Sequence, residues 1–338
     1  MEKNKKLNIV FLSKHSGSVY RGVETYVHEL SNKFVQLGHN VTVYQTGEKL
    51  TNSFYKTITI NDQNLFAVKA LMNVSMDTDV LFATNGGFQS LFSKIWTFGK
   101  KTKLVIPGQS GLGRDDKFNL LCFPDLFIGL TEFQSNWARN FAPFVKVVTI
   151  PNGVDSVKFN PNGQKRDFGL KHPIVLSCGA LEDIKRFDLV INAVSKLDSV
   201  SLLIVGKGSL KSKLEEQANR MMPGRFRIIE SKYEDMPIIY RSCDLFTYST
   251  QFYESFGIVM LEAMASNLPI VCSDDPIRKQ IVGDAGYFVD PNNLIEYSNL
   301  IKKALNTKWG RKPFNQSSNF GWSKIAQKYI DQFDKIIK

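Results

Sequence analysis

The chain has little of what covalent cross-links, metal clusters and membrane spans are made from. Its four cysteines, Cys122, Cys178, Cys243 and Cys272, are widely separated and form no Cys-x-x-Cys pair. They read as reduced core residues, because metal and redox sites need clustered ligands. The four histidines, His15, His28, His39 and His172, are scattered as well. No apolar run approaches the roughly 18–20 residues needed to cross a bilayer. The charged start Met-Glu-Lys-Asn-Lys-Lys before Leu-Asn-Ile-Val-Phe-Leu-Ser has the outline of a signal peptide, but its apolar part is too short. A buried first strand accounts for it better, so the expected location is cytosolic. Neither half owns the net charge of +11: residues 1–155 carry +5 and the remainder +6. This balance speaks against a nucleic-acid arm and for anionic partners, either small substrates or a weak pull toward anionic lipid.

What the chain has is a rhythm. At 338 residues it suits two domains of ordinary size. Short apolar runs alternate with helical patterns, the signature of parallel strands joined by crossover helices. In the first half the expected strands are 8–13, 40–44, 79–83, 103–106, 126–130 and 147–150. In the second they are 174–178, 201–205, 226–229, 245–248, 268–272 and 286–289. The stretch from Pro151-Asn-Gly to Pro161-Asn-Gly163 is the natural linker. The expected fold class is therefore α/β, with two doubly wound Rossmann-like domains facing across a cleft. The domains span 1–155 and 156–321, and a final amphipathic helix, 322–338, packs back on the first. Ligands of such sheets bind beyond the carboxyl ends of the strands.

One segment carries chemistry. In Glu254-Ser-Phe-Gly-Ile-Val-Met-Leu-Glu262, a carboxylate stands where the apolar pattern of Met260, Leu261, Ala263, Met264 and Ala265 wants a buried side chain. A buried Glu needs a polar partner. Glu254 lies just before the helix, Ser255 is the expected N-cap, and Gly257 leaves the backbone open to close approach. Free amides and the positive dipole end at such a helix start suit a phosphate. The competing reading is a solvated Glu254 and a structural ion pair between Glu262 and a nearby Lys or Arg.

Set in order along the chain, several motifs resemble glycosyltransferase family 4. They begin with Arg21-Gly-Val-Glu-Thr-Tyr-Val-His-Glu-Leu30, Leu37-Gly-His-Asn-Val-Thr-Val43 and Ile150-Pro-Asn-Gly-Val-Asp155. Cys178-Gly-Ala-Leu-Glu-Asp-Ile-Lys185, Leu203-Ile-Val-Gly-Lys-Gly208 and Glu234-Asp-Met-Pro237 follow. The glutamate segment and Gly283-Asp-Ala-Gly-Tyr-Phe-Val-Asp-Pro291 complete the set. The resemblance implies a GT-B fold and retaining transfer of a sugar from a nucleoside-diphosphate donor, such as a UDP- or GDP-sugar. The acceptor would be a glycan, a lipid-linked or a small molecule, with no cofactor, metal or nucleic acid involved.

The resemblance also implies roles. Glu254 would contact the donor sugar, and Glu262 the ribose. Ser255 and the amides of Phe256, Gly257, Ile258 and Val259 would take the diphosphate with Lys185. The base would lie against the turn from Ser231 to Tyr233. In the first domain Gly22 matches a loop glycine near the phosphates. Gln109, Asn85 and His15 are acceptor-side candidates, although a solvated loop histidine is the simpler reading of His15. Ala180 stands where the family commonly has an arginine, which Arg186 or Arg21 would replace. The family's frequent histidine after the fourth strand is absent, with Pro107-Gly-Gln109 in that region.

These departures support an alternative, a catalytically weakened nucleotide-sugar-binding relative. A third reading, a nicotinamide dehydrogenase, rests on Gly206-Lys-Gly208 and Gly108-Gln-Ser-Gly-Leu-Gly113, but neither makes a full Gly-x-Gly-x-x-Gly after a strand with the downstream acidic residue. Finally, the segment 88–103 combines Phe88, Leu91, Phe92, Ile95, Trp96 and Phe98 with four lysines. It is read either as a peripheral contact with the inner face of an anionic membrane or as an ordinary crossover helix.

Overall fold

The computed structural model describes residues 5–19 and 21–337. They divide into two compact units, Met1–Gly153 with Trp322–Lys338, and Val154–Gly321. The first holds a seven-stranded parallel sheet. Its strands are β1 (Asn8–Leu12), β2 (Asn40–Gln45), β3 (Lys56–Thr59), β4 (Val80–Ala83), β5 (Lys103–Pro107), β6 (Leu126–Gly129) and β7 (Val147–Thr149). The order is β3-β2-β1-β4-β5-β6-β7, so the winding reverses between β1 and β4. β1 and β4 to β6 are almost wholly buried, as helices on both faces require. β3 is the strand that the apolar rhythm does not announce. Lys-Thr-Ile-Thr is a half-exposed strand at the edge of the sheet.

The second unit holds β8 (Ile174–Cys178), β9 (Ser201–Val205), β10 (Phe226–Ile229), β11 (Leu245–Tyr248), β12 (Ile270–Ser273) and β13 (Gly286–Val289). Their parallel order, β10-β9-β8-β11-β12-β13, places the switch point between β8 and β11, paired through Leu245 with Val175 and Phe246 with Leu176. The loops after β8 and β11 open at that point. They carry Lys185 and Glu254.

The last helix, Trp322–Ile336, is part of the first unit's core. Trp322, Ile325, Ala326, Tyr329, Ile330 and Phe333 are buried at helical spacing against Tyr26, Phe34 and Phe82. The Tyr26 and Tyr329 hydroxyls meet at 3.0 Å, so both phenols are satisfied inside. Each of the larger side chains contributes roughly 1.5–3 kcal/mol by its burial. The turn-rich stretch after Gly153 belongs to the second unit, where Phe159 packs on Tyr233 and Tyr240.

All four cysteines are free and buried. His39 accepts the Leu7 N–H at 3.2 Å and ties two strand starts together, while His172 pairs with Asp244 at 2.6 Å. Among the described residues no helix is long and apolar enough to cross a membrane.

Candidate functional site

The helix Ile258–Ala265 is buried on every side, with only Val259 partly exposed. Glu262 sits in its last turn at 4% exposure. Its partners are two phenols rather than the Lys or Arg of an ion pair. Tyr240 Oη donates to Glu262 Oε2 at 2.9 Å, and the Tyr233 hydroxyl also bonds to the carboxyl. Burial pushes the acid up to about 7, against the pull of these two hydrogen bonds and of the Lys158 charge. The Lys158 ammonium stands 3.7 Å over the Tyr233 ring. Near neutral pH Glu262 is thus poised between a hydrogen-bond donor and an acceptor-only carboxylate.

Lys185 ends a single helical turn, Asp183–Lys185, after β8. Its Nζ donates to Glu254 Oε2 at 2.7 Å and to Tyr248 Oη at 2.9 Å. Both members of the ion pair are about 15% exposed. Burial alone would lower the lysine's affinity for its proton, but Tyr248 and Glu254 more than reverse this and hold it above its ordinary value. Lys185 is a permanent cation. The two loops are also joined through backbone, since Gln251 N–H donates to Ile184 O at 3.0 Å. Cys178, the last residue of β8, bonds to Tyr240 Oη at 3.2 Å and feels the charges of both Glu262 and Lys185. The end of this one strand links the two clusters.

The helix start differs from expectation. Gly257, with φ +91°, is the cap residue, and no side chain caps the helix, so Ser255 is not the N-cap. The reason is steric. A Cβ on Gly257 would come within 2.8 Å of the Tyr248 ring, the same ring whose hydroxyl holds Lys185. The left-handed glycine turns the chain into the helix, whose first amides have no intrahelical acceptor and lie at the positive end of the dipole. Phe256 is buried behind them, while Ser255 and Ile258 flank the turn.

A residue that the sequence reading missed holds this loop in place. Arg278 is fully buried on the helix Pro276–Val282. Its guanidinium donates to the Glu254 carbonyl at 3.0 Å, to Asp275 Oδ1 at 3.4 Å and to Thr250 Oγ1. Asp275 caps the helix through the Ile277 and Arg278 amides. The only signal was an Arg between Ile277 and Ile281, amid Asp274, Lys279 and Gln280 that suggest a solvated face. Tyr240 and Tyr248 went unnoticed because aromatic residues in apolar runs read as core.

The remaining candidates fall elsewhere. Arg186 adopts a left-handed conformation, and its guanidinium is engaged by Asp188 at 3.2 and 3.4 Å rather than by the Lys185 cluster. Ser231 Oγ donates to the neighbouring Lys232 carbonyl. In the first unit, Asn85 Oδ1 accepts the Lys14 N–H at 2.7 Å, bridging the ends of β4 and β1 at that sheet's switch point. His15 follows Lys14 on the loop after β1, its affinity for a proton lowered by burial and by the charges of Lys14 and Arg21. Arg21 is the exposed cap residue of the helix Gly22–Gln36, which Gly22 begins. Gln109 exchanges two hydrogen bonds with Asn152, at 3.0 and 3.3 Å.

Comparison with known proteins fits this geometry. Residues 160–320 match the family model described as glycosyl transferases group 1. A Campylobacter jejuni diphospho-undecaprenol 4-alpha-N-acetylgalactosaminyltransferase is 26% identical over 323 residues, which span 85% of this chain and 87% of that protein. An Escherichia coli O-antigen chain mannosyltransferase is 33% identical over 105 residues, but the match spans only 30% of this chain and 27% of the relative. Among solved structures, Anabaena HepE with UDP and glucose superposes with a TM-score of 0.80 at 17% identity, covering 97% and 100% of the two chains. Sucrose-phosphate synthase from Thermosynechococcus elongatus gives 0.82 at 16% identity, covering 98% and 99%. The two parallel sheets with their helices are the GT-B fold. The segment that carries Lys185, Glu254, Glu262 and Arg278 is the part of the chain that is similar to the glycosyl transferases group 1.

Proposed function

We propose that the protein transfers a sugar from a nucleoside-diphosphate sugar to an acceptor hydroxyl with retention at the anomeric carbon. The observation that carries this reading is the partly buried Lys185–Glu254 pair beside a helix start with no side-chain cap, at a sheet switch point. A preformed cation, the amides of a helix start and a carboxylate are what a sugar diphosphate needs. Donor binding would divide the pair, with Lys185 turning to the diphosphate and Glu254 to the sugar hydroxyls. The amides of Phe256, Gly257, Ile258 and Val259 would hold the phosphates, with Ser255 beside them, and Glu262 would accept from the ribose hydroxyls. The base would lie on the Ser231 to Tyr233 turn.

In the reaction the bond from the anomeric carbon to the diphosphate oxygen breaks, and the acceptor oxygen bonds to the same face. The acceptor proton passes to the departing diphosphate, whose charge Lys185 stabilises, so no metal is called for. Arg186, Arg21 and Gly22 would be auxiliary contacts to the donor. Gln109, Asn85 and His15 would belong to the acceptor side. The relatives' names support a UDP-sugar donor and a lipid-linked acceptor. We place the protein in the cytoplasm.

In a panel of UDP-, GDP-, ADP- and TDP-sugars, one class is expected to raise the melting temperature and to yield a glycosylated product in the presence of EDTA. Binding without transfer or hydrolysis across a broad acceptor panel would instead establish a nucleotide-sugar-binding relative.

Glu262 supplies a second check. Ribose hydroxyls donating to it favour its ionised form, so donor binding near pH 7 should release a fraction of a proton and tighten as pH rises. Calorimetry in buffers of different ionisation enthalpy measures that release, and Glu262→Gln should abolish it. In the free protein the sign is the usual one for a raised acid. The folded state holds the proton more tightly, so Glu262 stabilises fully below its ordinary value of 4.5, and this contribution is lost as pH rises toward about 7.

A further inference from the structure

Two neighbouring helices of the first unit are built inside out. In Phe88–Thr97 the buried residues are Gln89, Ser90, Ser93 and Thr97, whereas Phe88 is 73% exposed and Ile95 63%. Phe98, just past the end, is 82% exposed. In Arg114–Leu121 the buried residues include Asp116 and Asn119, and Phe118 and Leu121 face out. Apart from Ser93 Oγ, which has no hydrogen-bond partner among the described residues, the inward polar groups are not stranded. Ser90 Oγ bonds to Asn119 Oδ1 at 2.8 Å, Asn119 Nδ2 to Asp116 Oδ1 at 3.0 Å, and Gln134 Nε2 to Asp116 Oδ2 at 3.1 Å. Asp116 is itself fully buried. A satisfied polar network therefore fixes which way the helices face, and the apolar sides are left to the outside.

Those sides form one surface. Phe88 touches Phe92 and Phe118, with ring centroids 6.3 and 6.4 Å apart. Beyond Leu121, exposed Phe123 stacks on exposed Phe144 at 4.8 Å. A typical soluble protein does not leave such a contiguous aromatic patch uncovered. The charge around it is mainly positive, although Asp115 lies in the first turn of the second helix and Asp125 stands 3.9 Å from Lys103. Between Asp79 and Asp115 the chain carries Lys94, Lys100, Lys101, Lys103 and Arg114 and no carboxylate at all. The Lys100 ammonium lies 3.4 Å over the Trp96 ring, and Lys117 5.6 Å from that of Phe141. Aromatic side chains bordered by lysines suit the boundary between headgroups and acyl chains.

We propose that this surface docks the protein on an anionic lipid membrane. Phe88, Ile95 and Phe98 enter the interface, and Lys100 and Lys101 engage the headgroups. The occupant follows from the charge, since a protein partner would have to be both apolar and acidic, and a second copy would bring lysine against lysine.

The test is co-sedimentation with phosphatidylcholine vesicles, alone or containing about one-third phosphatidylglycerol. The wild-type chain is expected to bind the anionic vesicles at least about tenfold better than the neutral ones. Phe88→Ser with Ile95→Ser and Phe98→Ser should reduce that binding by about tenfold or more, and Lys100→Gln with Lys101→Gln by roughly the same factor. Because these side chains are exposed, the melting temperature of both variants should stay within a degree or two of wild type, showing that binding, not folding, was lost. Failure of the wild-type chain to sediment, or equal sedimentation of the triple serine variant, overturns the proposal. So does a wild-type dimer that the triple variant converts to monomer without vesicle binding. The readout is binding alone and stands apart from whether sugar transfer occurs.

Discussion

Lys185→Ala is expected to lower the rate of sugar transfer by about 10²–10³-fold, the usual cost of removing one preorganised group from a developing anion. The same change strands Glu254. Its carboxylate, about 15% exposed, loses the ammonium at 2.7 Å, and Arg278 reaches only its backbone carbonyl. Removing one member of such a pair costs more than the pair contributes, on the order of 3 kcal/mol. The double variant, Lys185→Ala with Glu254→Ala, should recover part of that stability while remaining inactive. Denaturant melts on the four members of the cycle, with single-turnover assays beside them, separate the two effects. Transfer by Lys185→Ala at the wild-type rate would end the proposed mechanism, and full additivity in the melts would mean that the pair is not coupled.

Arg278→Met is the change expected to cost most in stability. It removes a guanidinium with no exposed surface and leaves Asp275 Oδ1, Thr250 Oγ1 and the Glu254 carbonyl short of a donor. Breaking a buried charge pair costs about 3–5 kcal/mol, which for a domain of this size lowers the melting temperature by roughly 10 °C. Arg278→Lys keeps the charge but not the planar fork, and should fall between the two. Arg278 touches Glu254 only through its backbone, so it positions rather than reacts. Its loss should therefore lower kcat of the surviving folded protein more than it raises donor KM. A melting temperature unchanged in Arg278→Met would show that the loop is held by something else.

The fold was legible where physics is local. Six runs of the second half stand within two residues of β8 to β13, because strands buried on both faces must be continuously apolar. β3 escaped because an edge strand needs few apolar residues, and Lys-Thr-Ile-Thr has one. In the site, the misplaced carboxylate at 262 was visible, but its partners were not. Tyr240 and Tyr233 approach from 22 and 29 positions away, and only the packing of the intervening turn brings them there. The cap at Ser255 was a sound local inference, overridden by the Tyr248 ring that dictates where the chain can turn. The segment from Phe88 to Thr97 shows a different limit. Its apolar residues recur at helical spacing, and periodicity says that they share a face without saying which way that face points. The direction was set by Asn119 and Asp116, on another helix.

The helix Trp322–Ile336 has a consequence for how the protein is made. Tyr329 and Phe333 pack on Phe34 and Phe82, so the first unit lacks part of its core until the helix Trp322–Ile336 has left the ribosome. The second unit, contiguous from Val154 to Gly321, is complete earlier. Although domains generally fold in the order of their synthesis, this chain inverts that order, and its N-terminal sheet must wait, partly open, for a helix synthesised after the second unit.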